Sequence, residues 1–503
     1  MQESCRKRMR KERWDRLRQC TPPCLKEVMT PRRIRSYRRK ACGLDISWAA
    51  ECVDEEIMEQ LFLLAESCEV QDKMKSMQLG LTMNSTEERA VLHTSMRADV
   101  KNGKDIPLRK EVAREREKLR TLCAEISPFD LIWVGIGGSY LGPRALFEAL
   151  GGNTASRCRV HFVTNVDPDE IRDVIAQVDP ERTCVVIVSK SGSTLETSVN
   201  AKVLRQSLGN ATLISITQQG STLDGTFHHS FHMWDSVGGR YSATSMVGGV
   251  LLALAFSYDR YMQVLKGAED MDQHVLQSPM EDNLPLISAL LGVWNRNILN
   301  HPTLAVISYA SRLGYFPEHI QQCDMESNGK SVNEQGGDLQ MRSGPVIWGG
   351  VGTNVQHSFF QLIHQGTDVV PLLFLGVRQH AGHDWEIDGT TLSQKLNSNL
   401  FAQAMALAVG RDHAQPQKRC PGNRPSHIVG MESISPHSIG ALLAFFEHRT
   451  AYQGWIWGVN SFDQEGVECG KLLAGDFLDF LREEDRLDSD LDRETISAWF
   501  DLD

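Results

Sequence analysis

The sequence predicts an α/β protein with two sandwiches of helices around mainly parallel sheets. Short buried apolar runs alternate with helical segments from about residue 121, and a second alternating series begins near residue 286. Glycine-rich turns, 135–139 and 349–353, follow a strand in each series. Alternation of this kind is typical of β-α-β units and parallel sheets. At 503 residues the chain is also too long for a single hydrophobic core.

The predicted regions follow one another along the chain. They are a basic arm at 1–44, a helical region at 45–120, the first α/β domain at 121–285, the second at 286–435 and a helical C-terminal region at 436–503. Apolar runs predict strands at 131–134, 160–163, 184–188, 303–308, 346–348 and 369–375, and a helix at 144–150. The stretch from 45 to about 119 and the stretch from about 394 onward look mostly helical.

Charge is distributed unevenly. Residues 1–40 hold 15 Lys/Arg against 4 Asp/Glu, although the whole chain has a net charge of −11. Such an arm is compatible with nucleic-acid contact, membrane-surface contact or an organelle address. We favour an extension that lies on the acidic body, because the arm also contains acids and few serines and has no obvious nucleic-acid-binding fold.

The composition excludes several classes of protein. No apolar run approaches the roughly 20 residues that span a bilayer, and the N-terminus has no apolar signal region. The twelve cysteines are scattered without any C-x-x-C, which favours a reduced cytosolic compartment over disulfides. No H-E-x-x-H or Cys/His cluster has zinc-ligand spacing, so we expect no metal.

Two loops have the composition of anion-binding sites. Gly135-x-Gly137-Gly138-Ser139 lies between a predicted strand and a helix, where backbone N–H groups can approach an anion; a tight structural turn is the alternative. Residues 189–197 also follow a strand and hold five hydroxyls and one lysine, which suit a phosphomonoester. A Ser/Thr-capped helix without a ligand is the alternative there.

Charged residues elsewhere suggest acid/base chemistry. Glu326 is expected in a polar turn, either as a general base or as a cap of that turn. Arg240 follows two glycines, and its guanidinium would either stabilise an oxyanion or form a surface ion pair. His357 and His364 are predicted on one helix, and spacing does not choose between them. Gln464 and Lys471 are predicted on one helical face, Lys471 either reaching a substrate oxygen or remaining solvated.

Taken together, these motifs resemble the glucose-6-phosphate isomerase (phosphoglucose isomerase) family. The resemblance runs from N-S-T-E-E-R-A-V-L-H at 84–93 to Lys471. Its most specific stretches are G-R-Y-S at 239–242, D-M-E-S-N-G-K at 324–330, G-T-N-x-Q-H at 352–357 and the segment 462–471.

The resemblance implies two sugar-isomerase-type (SIS) α/β/α domains and reversible isomerisation of glucose 6-phosphate to fructose 6-phosphate in the cytoplasm, without metal or cofactor. By this resemblance Glu326 moves a proton between C2 and C1 through a cis-enediolate that Arg240 stabilises. It implies that His357, supplied by the second subunit of a homodimer, assists ring opening, and that Lys471, also catalytic, contacts the region of the ring oxygen. The substrate-binding residues it implies are Gly138, Ser139, Ser189, Lys190, Ser191, Thr194 and Gln464.

Two departures and two alternatives accompany the resemblance. Tyr140 and the Gly192-Ser193 pair differ from the commonest family pattern, which bears on affinity at the phosphate end. A relative acting on another phosphosugar, such as mannose 6-phosphate, would share the phosphate loop and the base. A sugar-phosphate-binding regulator would lack the base, whereas Glu326, Arg240, His357 and Lys471 are all present. We expect no nucleic-acid or membrane partner.

Overall fold

The structure, a computed structural model, describes residues 2–98, 107–482, 489 and 491–500, with side chains from residue 8 onward. The chain forms two compact units, Met1–Ser461 and Phe462–Asp503, and both large sheets belong to the first. Parts of the predicted 45–120 and 436–503 regions lie outside the described residues. The predicted domain boundaries within the first unit stay a proposal.

The strands alternate with helices through most of the first unit. In chain order they are β1 Arg38–Ala41, β2 Leu44–Ser47, β3 Thr82–Asn84, β4 Arg89–Ala90, β5 Asp130–Val134, β6 Arg159–Val163, β7 Thr183–Val188, β8 Thr212–Gln218, β9 His229–Met233, β10 Thr303–Tyr309, β11 Val346–Val351, β12 Leu372–Gln379, β13 Glu386–Ile387, β14 Thr390–Thr391 and β15 Ser426–Ser433.

The helices include one that is buried along its whole length, Met246–Ala255, and two others that are nearly so. In chain order they are α1 Gln2–Gln19, α2 Leu25–Val28, α3 Pro31–Ser36, α4 Glu55–Ser67, α5 Val70–Gln78, α6 Pro107–Glu125, α7 Leu141–Ala149, α8 Pro168–Gln177, α9 Leu195–Ser207, α10 Met246–Ala255, α11 Tyr258–Gln277, α12 Leu284–Val293, α13 Phe316–Asn328, α14 Phe360–Gln365, α15 Leu392–Val409, α16 Pro436–Trp457, α17 Glu468–Leu481 and α18 Arg493–Phe500. None of those in the described residues combines the length and apolar character needed to cross a membrane.

Two large sheets organise the described part of the first unit. One has five strands in the order β6-β5-β7-β8-β9, all parallel. The other has six in the order β1-β2-β15-β12-β10-β11, and all its pairings are parallel except the two that β2 makes with β1 and β15. This arrangement confirms the predicted fold class, α/β with two mainly parallel sheets.

The five-stranded sheet is buried on both faces. Ile132 and Ile187 pack with Val174 of α8 and Leu204 of α9 on one face. Trp133, which alternates with Ile132 and so faces the other way, is also fully buried. Because both faces of β5 and β7 are buried, the two strands consist of nearly continuous apolar residues. These apolar runs allowed both strands to be predicted from the sequence.

The six-stranded sheet is covered by helices in the same way. Ile307 and Phe374 pack with Ile363 of α14 and Leu407 of α15 on one face. Its β15 lies in the stretch expected to be mostly helical, and β2 falls at the start of the other such stretch, so both predictions were wrong at these strands. The two strands pair with each other, a long-range contact that local periodicity does not encode.

The basic arm is part of the folded body. Its β1 and β2 extend the six-stranded sheet through β15, and α1 packs against α4. The buried guanidinium of Arg33 donates to the carbonyls of Ala49, Glu51 and Val53 at 2.7–2.8 Å. These contacts agree with the expectation of an extension that lies on the body of the same chain.

Candidate active site

The two predicted anion loops lie side by side. Gly135–Ser139 follows β5 and Ser189–Thr194 follows β7, and these strands are hydrogen-bonded neighbours whose carboxyl ends meet at one edge of the sheet. From β5 the chain continues to β6 on one side of it, whereas from β7 it continues to β8 on the opposite side. The crevice between the two loops is therefore a topological switch point. Open parallel sheets bind ligands at such points.

Gly138 brings a third segment to this edge. A Cβ on Gly138 would lie only 2.2 Å from the carbonyl carbon of Gly239 and 2.7 Å from the backbone nitrogen of Arg240. No side chain fits there, so the two short 3₁₀ turns at 137–139 and 239–241 contact each other backbone to backbone. The glycine-rich loop is therefore required for placing Arg240, and it is more than a tight turn between a strand and a helix.

Arg240 is buried in a set of oxygen acceptors. Only 1% of its side chain is exposed. Its Nε donates to Ser327 Oγ at 2.6 Å and its Nη2 to the Ser461 carbonyl at 2.7 Å. Tyr241 hydrogen-bonds the same hydroxyl at 2.8 Å, and burial raises the pKa of this tyrosine. The alternative of a surface ion pair is therefore wrong for Arg240.

Glu326 faces the remaining guanidinium nitrogen. Its Oε1 lies 3.6 Å from Arg240 Nη1, and 19% of its side chain is exposed. Glu326 lies in the last turn of α13, so the prediction of a polar turn was wrong, and the alternative of a carboxylate that caps that turn is wrong with it. The amine of Lys330 donates to the carbonyls of Glu326 and Ser327 at 3.1 Å, which satisfies the end of that helix.

The hydroxyls of the Ser189–Thr194 loop bond mostly to groups within the loop. Buried Ser189 pairs with Thr194 through their hydroxyls at 3.0 Å and accepts from the Gly192 N–H at 3.1 Å. Ser191 accepts from the hydroxyl of Ser193 at 2.8 Å. Thr194 is the N-cap residue of α9 but makes no side-chain capping bond, so simple helix capping does not explain the loop. The N-terminus of this helix faces the crevice edge as in anion sites.

Lys190 is the cation of this loop. Burial lowers the pKa of its amine, and the nearby Asp235 carboxylate opposes that effect at 3.3 Å. The amine also donates to the carbonyls of Asp235 and Val237. Ser139, on the neighbouring loop, is half-buried, and its carbonyl accepts from the Trp133 indole at 2.9 Å. Backbone contacts thus fix both loops.

The two histidines lie on different elements. His357 ends a 3₁₀ turn at 354–357 and is exposed, whereas His364 lies on α14 and pairs with Gln403 at 2.7 Å. The prediction of one shared helix was wrong, because the chain bends at residues 358–359 between them.

Gln464 and Lys471 belong to the second unit, which is described by itself. Gln464 precedes a 3₁₀ turn at 465–467 and Lys471 lies on α17, so they do not share one helix as predicted. Lys471 is exposed and pairs with Glu468 at 2.7 Å. Their membership of the site stays a proposal.

Sequence reasoning did not identify some residues that hold the site together. Ser327, Ser461 and Tyr241 are all buried and surround the Arg240 guanidinium. Ser327 and Tyr241 directly follow predicted site residues, which is a usable signal. Ser461 lies 221 positions from Arg240, and nothing in its local sequence marks it.

Tyr140, which follows the glycine-rich loop and departs from the commonest family pattern, contacts Phe162 of β6 and Arg144 of α7. Its ring lies 5.5 Å from that of Phe162, and its hydroxyl accepts from Arg144. Arg144 also stacks over Tyr315, with 4.0 Å between Cζ and the ring centre. Among the described residues, no group of three or more His, Cys, Asp or Glu side chains is placed to hold a metal ion.

Comparison with known proteins gives the family of the chain. The family model of phosphoglucose isomerase matches residues 47–497. The glucose-6-phosphate isomerase of Chlamydia muridarum (strain MoPn / Nigg) is 49% identical over 465 residues, 88% of each chain. That of Chlamydia caviae is 44% identical over 495 residues, 94% of each chain.

A solved structure agrees over nearly the whole length. The crystal structure of a glucose-6-phosphate isomerase from Chlamydia trachomatis D/UW-3/Cx has a TM-score of 0.93 and 42% identity, and the match covers 98% of this chain and 99% of that one. The chain belongs to the phosphoglucose isomerase family.

Proposed function

We propose that this chain interconverts glucose 6-phosphate and fructose 6-phosphate, the reaction for which its relatives are named, by moving one proton between C2 and C1 of the open-chain sugar. The observation that carries the mechanism is the pairing of a partly exposed carboxylate with a buried guanidinium, Glu326 Oε1 to Arg240 Nη1 at 3.6 Å. A base and an oxyanion-stabilising group are the two components that an aldose-ketose isomerisation needs.

In the forward direction Glu326 takes the proton from C2 of the aldose. The C2–H electron pair forms the C1=C2 double bond, and the carbonyl oxygen on C1 becomes an oxyanion, giving the cis-enediolate. The O2 proton passes to O1, so that O1 becomes a hydroxyl and the negative charge moves to O2. The O2 electron pair then forms the C2=O carbonyl, while the C1=C2 pair takes the proton back from Glu326 to form the new C1–H bond. One base suffices, because the proton leaves and returns on the same face of the sugar. General base catalysis of this kind contributes roughly 10² to 10⁴-fold.

Arg240 supplies the charge that stabilises the enediolate. Its position is set before substrate arrives, because Ser327 and the Ser461 carbonyl already hold two of its nitrogens. Preorganised donors avoid reorganisation during the reaction, and removing one typically costs about 10² to 10³-fold in kcat.

The two loops at the switch point bind the phosphate. Hydroxyls and N–H groups of Ser189, Ser191 and Thr194, with the Lys190 amine, suit a dianion with three oxygens. Gly138, Ser139 and Gln464 complete the pocket in this proposal. Binding energy from the phosphate orients C1 and C2 against Glu326.

Ring opening requires His357 and Lys471, with His357 acting in the site of the second subunit of a homodimer. His357 is exposed and makes no side-chain hydrogen bond to the described residues of its own chain, as suits a residue that serves another subunit. Mixing Glu326→Gln and His357→Ala enzymes under subunit exchange tests this. Shared sites predict recovery of about a quarter of wild-type activity, since half of the dimers then carry one intact site. No recovery after confirmed exchange contradicts it.

The proposal places the enzyme in the cytoplasm, in glycolysis and gluconeogenesis, without a cofactor. The described cysteines, from Cys20 to Cys469, are all free thiols, which suits a reducing compartment.

A coupled assay tests the proposal directly. Fructose 6-phosphate is converted by the purified chain, and glucose 6-phosphate is followed through its dehydrogenase, with and without EDTA. We expect turnover that EDTA does not change. Absence of turnover with fructose 6-phosphate contradicts the proposed activity. If mannose 6-phosphate is turned over instead, the alternative of an isomerase for another phosphosugar is correct. Loss of activity in EDTA contradicts the metal-free mechanism.

A further inference from the structure

The end of α16 lies between the basic arm and the candidate active site. This helix is buried from Ser438 to Trp457, and Gly458 caps it in the left-handed conformation. The last carbonyls of a helix have no partner within the helix and carry its negative dipole end. The element that satisfies them therefore determines where the following residues lie.

Arg10 of the arm satisfies one of these carbonyls. Its guanidinium donates to the Ile456 carbonyl in the last turn of α16. It also lies so close to Gly458 that a Cβ there would be 3.2 Å from both terminal guanidinium nitrogens. A cation is favourable at this end of a helix. Trp14, 3% exposed, and fully buried Leu17 anchor the helix α1 that carries it.

The residues just after this cap bind the catalytic groups. The Ser461 carbonyl accepts from Arg240 Nη2 at 2.7 Å and from the Tyr241 hydroxyl at 3.3 Å. The Ser461 hydroxyl donates to the side chain of Asn328, the last residue of α13, at 2.7 Å. Residues 458–461 thus connect the end of α16 both to Arg240 and to the helix that carries Glu326.

Lys330 and the loop at residues 84–86 hold the middle of this segment. The Asn460 carbonyl accepts from the Lys330 amine at 3.2 Å. The Asn460 amide donates to Asn84 and Thr86 at 2.9–3.0 Å. Residues 459–461 are almost fully buried, so the segment has little room to absorb a shift at its start.

We propose that Arg10 is a positioning residue for catalysis: by capping α16 it fixes residues 458–461, and through the Ser461 carbonyl it holds the Arg240 guanidinium against Glu326. The arm, which lies before the stretch that matches the family model, thereby acts on the reaction from outside that stretch. This inference rests on the proposed role of Arg240.

Steady-state kinetics of Arg10→Ala and Arg10→Lys test the proposal, at a temperature well below their melting points. Because misplacement of a catalytic group by about 1 Å can cost up to 10²-fold, we expect kcat of Arg10→Ala to fall on the order of tenfold. KM should change less than about twofold, since the Ser189–Thr194 loop is untouched. Arg10→Lys, which keeps the cation, should recover most of kcat.

Two control variants separate positioning from stability. Arg8→Ala removes an exposed arginine of the same helix, whose ion pair among the described residues is with Glu12 at 3.4 Å, and should leave kcat and Tm unchanged. Leu407→Ala weakens the core of the six-stranded sheet on α15 and changes no residue of α1 or of the α16 cap, so it should lower Tm and spare kcat. An unchanged kcat in Arg10→Ala contradicts the proposal. So does an equal loss of kcat in Leu407→Ala.

A double-mutant cycle distinguishes failure of this proposal from failure of the proposed function. If Arg10 acts through Arg240, Arg10→Ala should have no further effect on kcat in an Arg240→Ala background. Additive losses contradict the coupling. If Arg240→Ala alone leaves kcat intact, the role of Arg240 fails first. If Arg240→Ala lowers kcat and Arg10→Ala does not, only the positioning proposal fails.

Discussion

The two ends of the proposed site are built by different means. At the phosphate end, the hydroxyls of the Ser189–Thr194 loop bond largely to one another and to N–H groups of the same loop, and Ser191 and Ser193 remain exposed. At the proton-transfer end, Arg240 is buried and bonds to Ser327 and Ser461, 87 and 221 positions away. A binding loop can be built from adjacent residues, whereas a preorganised charge needs acceptors from separate parts of the chain.

Because of this difference, substitutions at the two ends of the proposed site should change different kinetic parameters. Substitutions at the proton-transfer end should act on kcat, because its groups contact the reacting atoms. Substitutions at the phosphate end should act mainly on KM, because its hydrogen bonds are made in both the ground state and the transition state.

The largest effect is expected for Glu326→Gln. The amide keeps the shape of the side chain but cannot take the C2 proton, so kcat should fall by at least about 10³-fold with KM nearly unchanged. Glu318→Gln, an exposed carboxylate in the first turn of the same α13, is the matched control and should keep wild-type kcat. A Glu326→Gln enzyme with wild-type kcat would remove Glu326 from its role.

Arg240→Ala should come next, with a loss of about 10² to 10³-fold in kcat. It also leaves the Ser461 carbonyl and the Ser327 hydroxyl with fewer partners, which should destabilise the fold by about 1–3 kcal/mol. Kinetics and thermal melts on the same preparation separate the two losses. An increase in KM alone, with kcat intact, would show that the guanidinium acts only in ground-state binding.

A smaller effect, on KM instead of kcat, is expected for Thr194→Val. Losing one hydroxyl that bonds a phosphate dianion costs about 1.5–3 kcal/mol, so KM should rise roughly tenfold or more while kcat changes little. Ser207→Ala, exposed at the far end of the same α9, serves as the control. A fall in kcat at constant KM would contradict the expectation that substitutions at the phosphate end act mainly on KM.

The smallest effect concerns acid stability of the helix that carries Glu326. His319 on α13 is 1% exposed, neither ring nitrogen has a partner among the described residues, and burial lowers its pKa to about 4. The unfolded chain protonates this histidine near pH 6.5 and the folded chain does not, so stability should fall as pH drops from about 6.5 toward 4.

Substituting this histidine tests that dependence. His319→Gln should reduce the difference in Tm between pH 7.5 and pH 4.5 by a few degrees, corresponding to about 2–3 kcal/mol at most. His364→Gln, a half-exposed histidine bonded to Gln403, should leave that difference as in the wild type. Equal pH slopes for the wild type and His319→Gln would contradict a buried neutral imidazole.

Local patterns in the sequence predicted most of the fold and the phosphate end. β5 and β7 are buried on both faces, so their apolar runs identified them, and residues 189–194 carry their hydroxyls in one continuous stretch. Predictions failed where pairing is long-range, at β2 and β15, and where the chain bends, between His357 and His364. The turn expected around Glu326 is instead the last turn of α13.

By itself, the sequence determined the two α/β sandwiches, the hydroxyl-rich loop and the residue types needed for proton transfer. Only the tertiary structure decided that Arg240 is buried against Ser461, that Gly138 admits the backbone of Gly239, and that Arg10 caps α16. The physical reason is range: apolar periodicity and turn chemistry act between near neighbours, whereas these contacts join segments that meet only once the chain is packed.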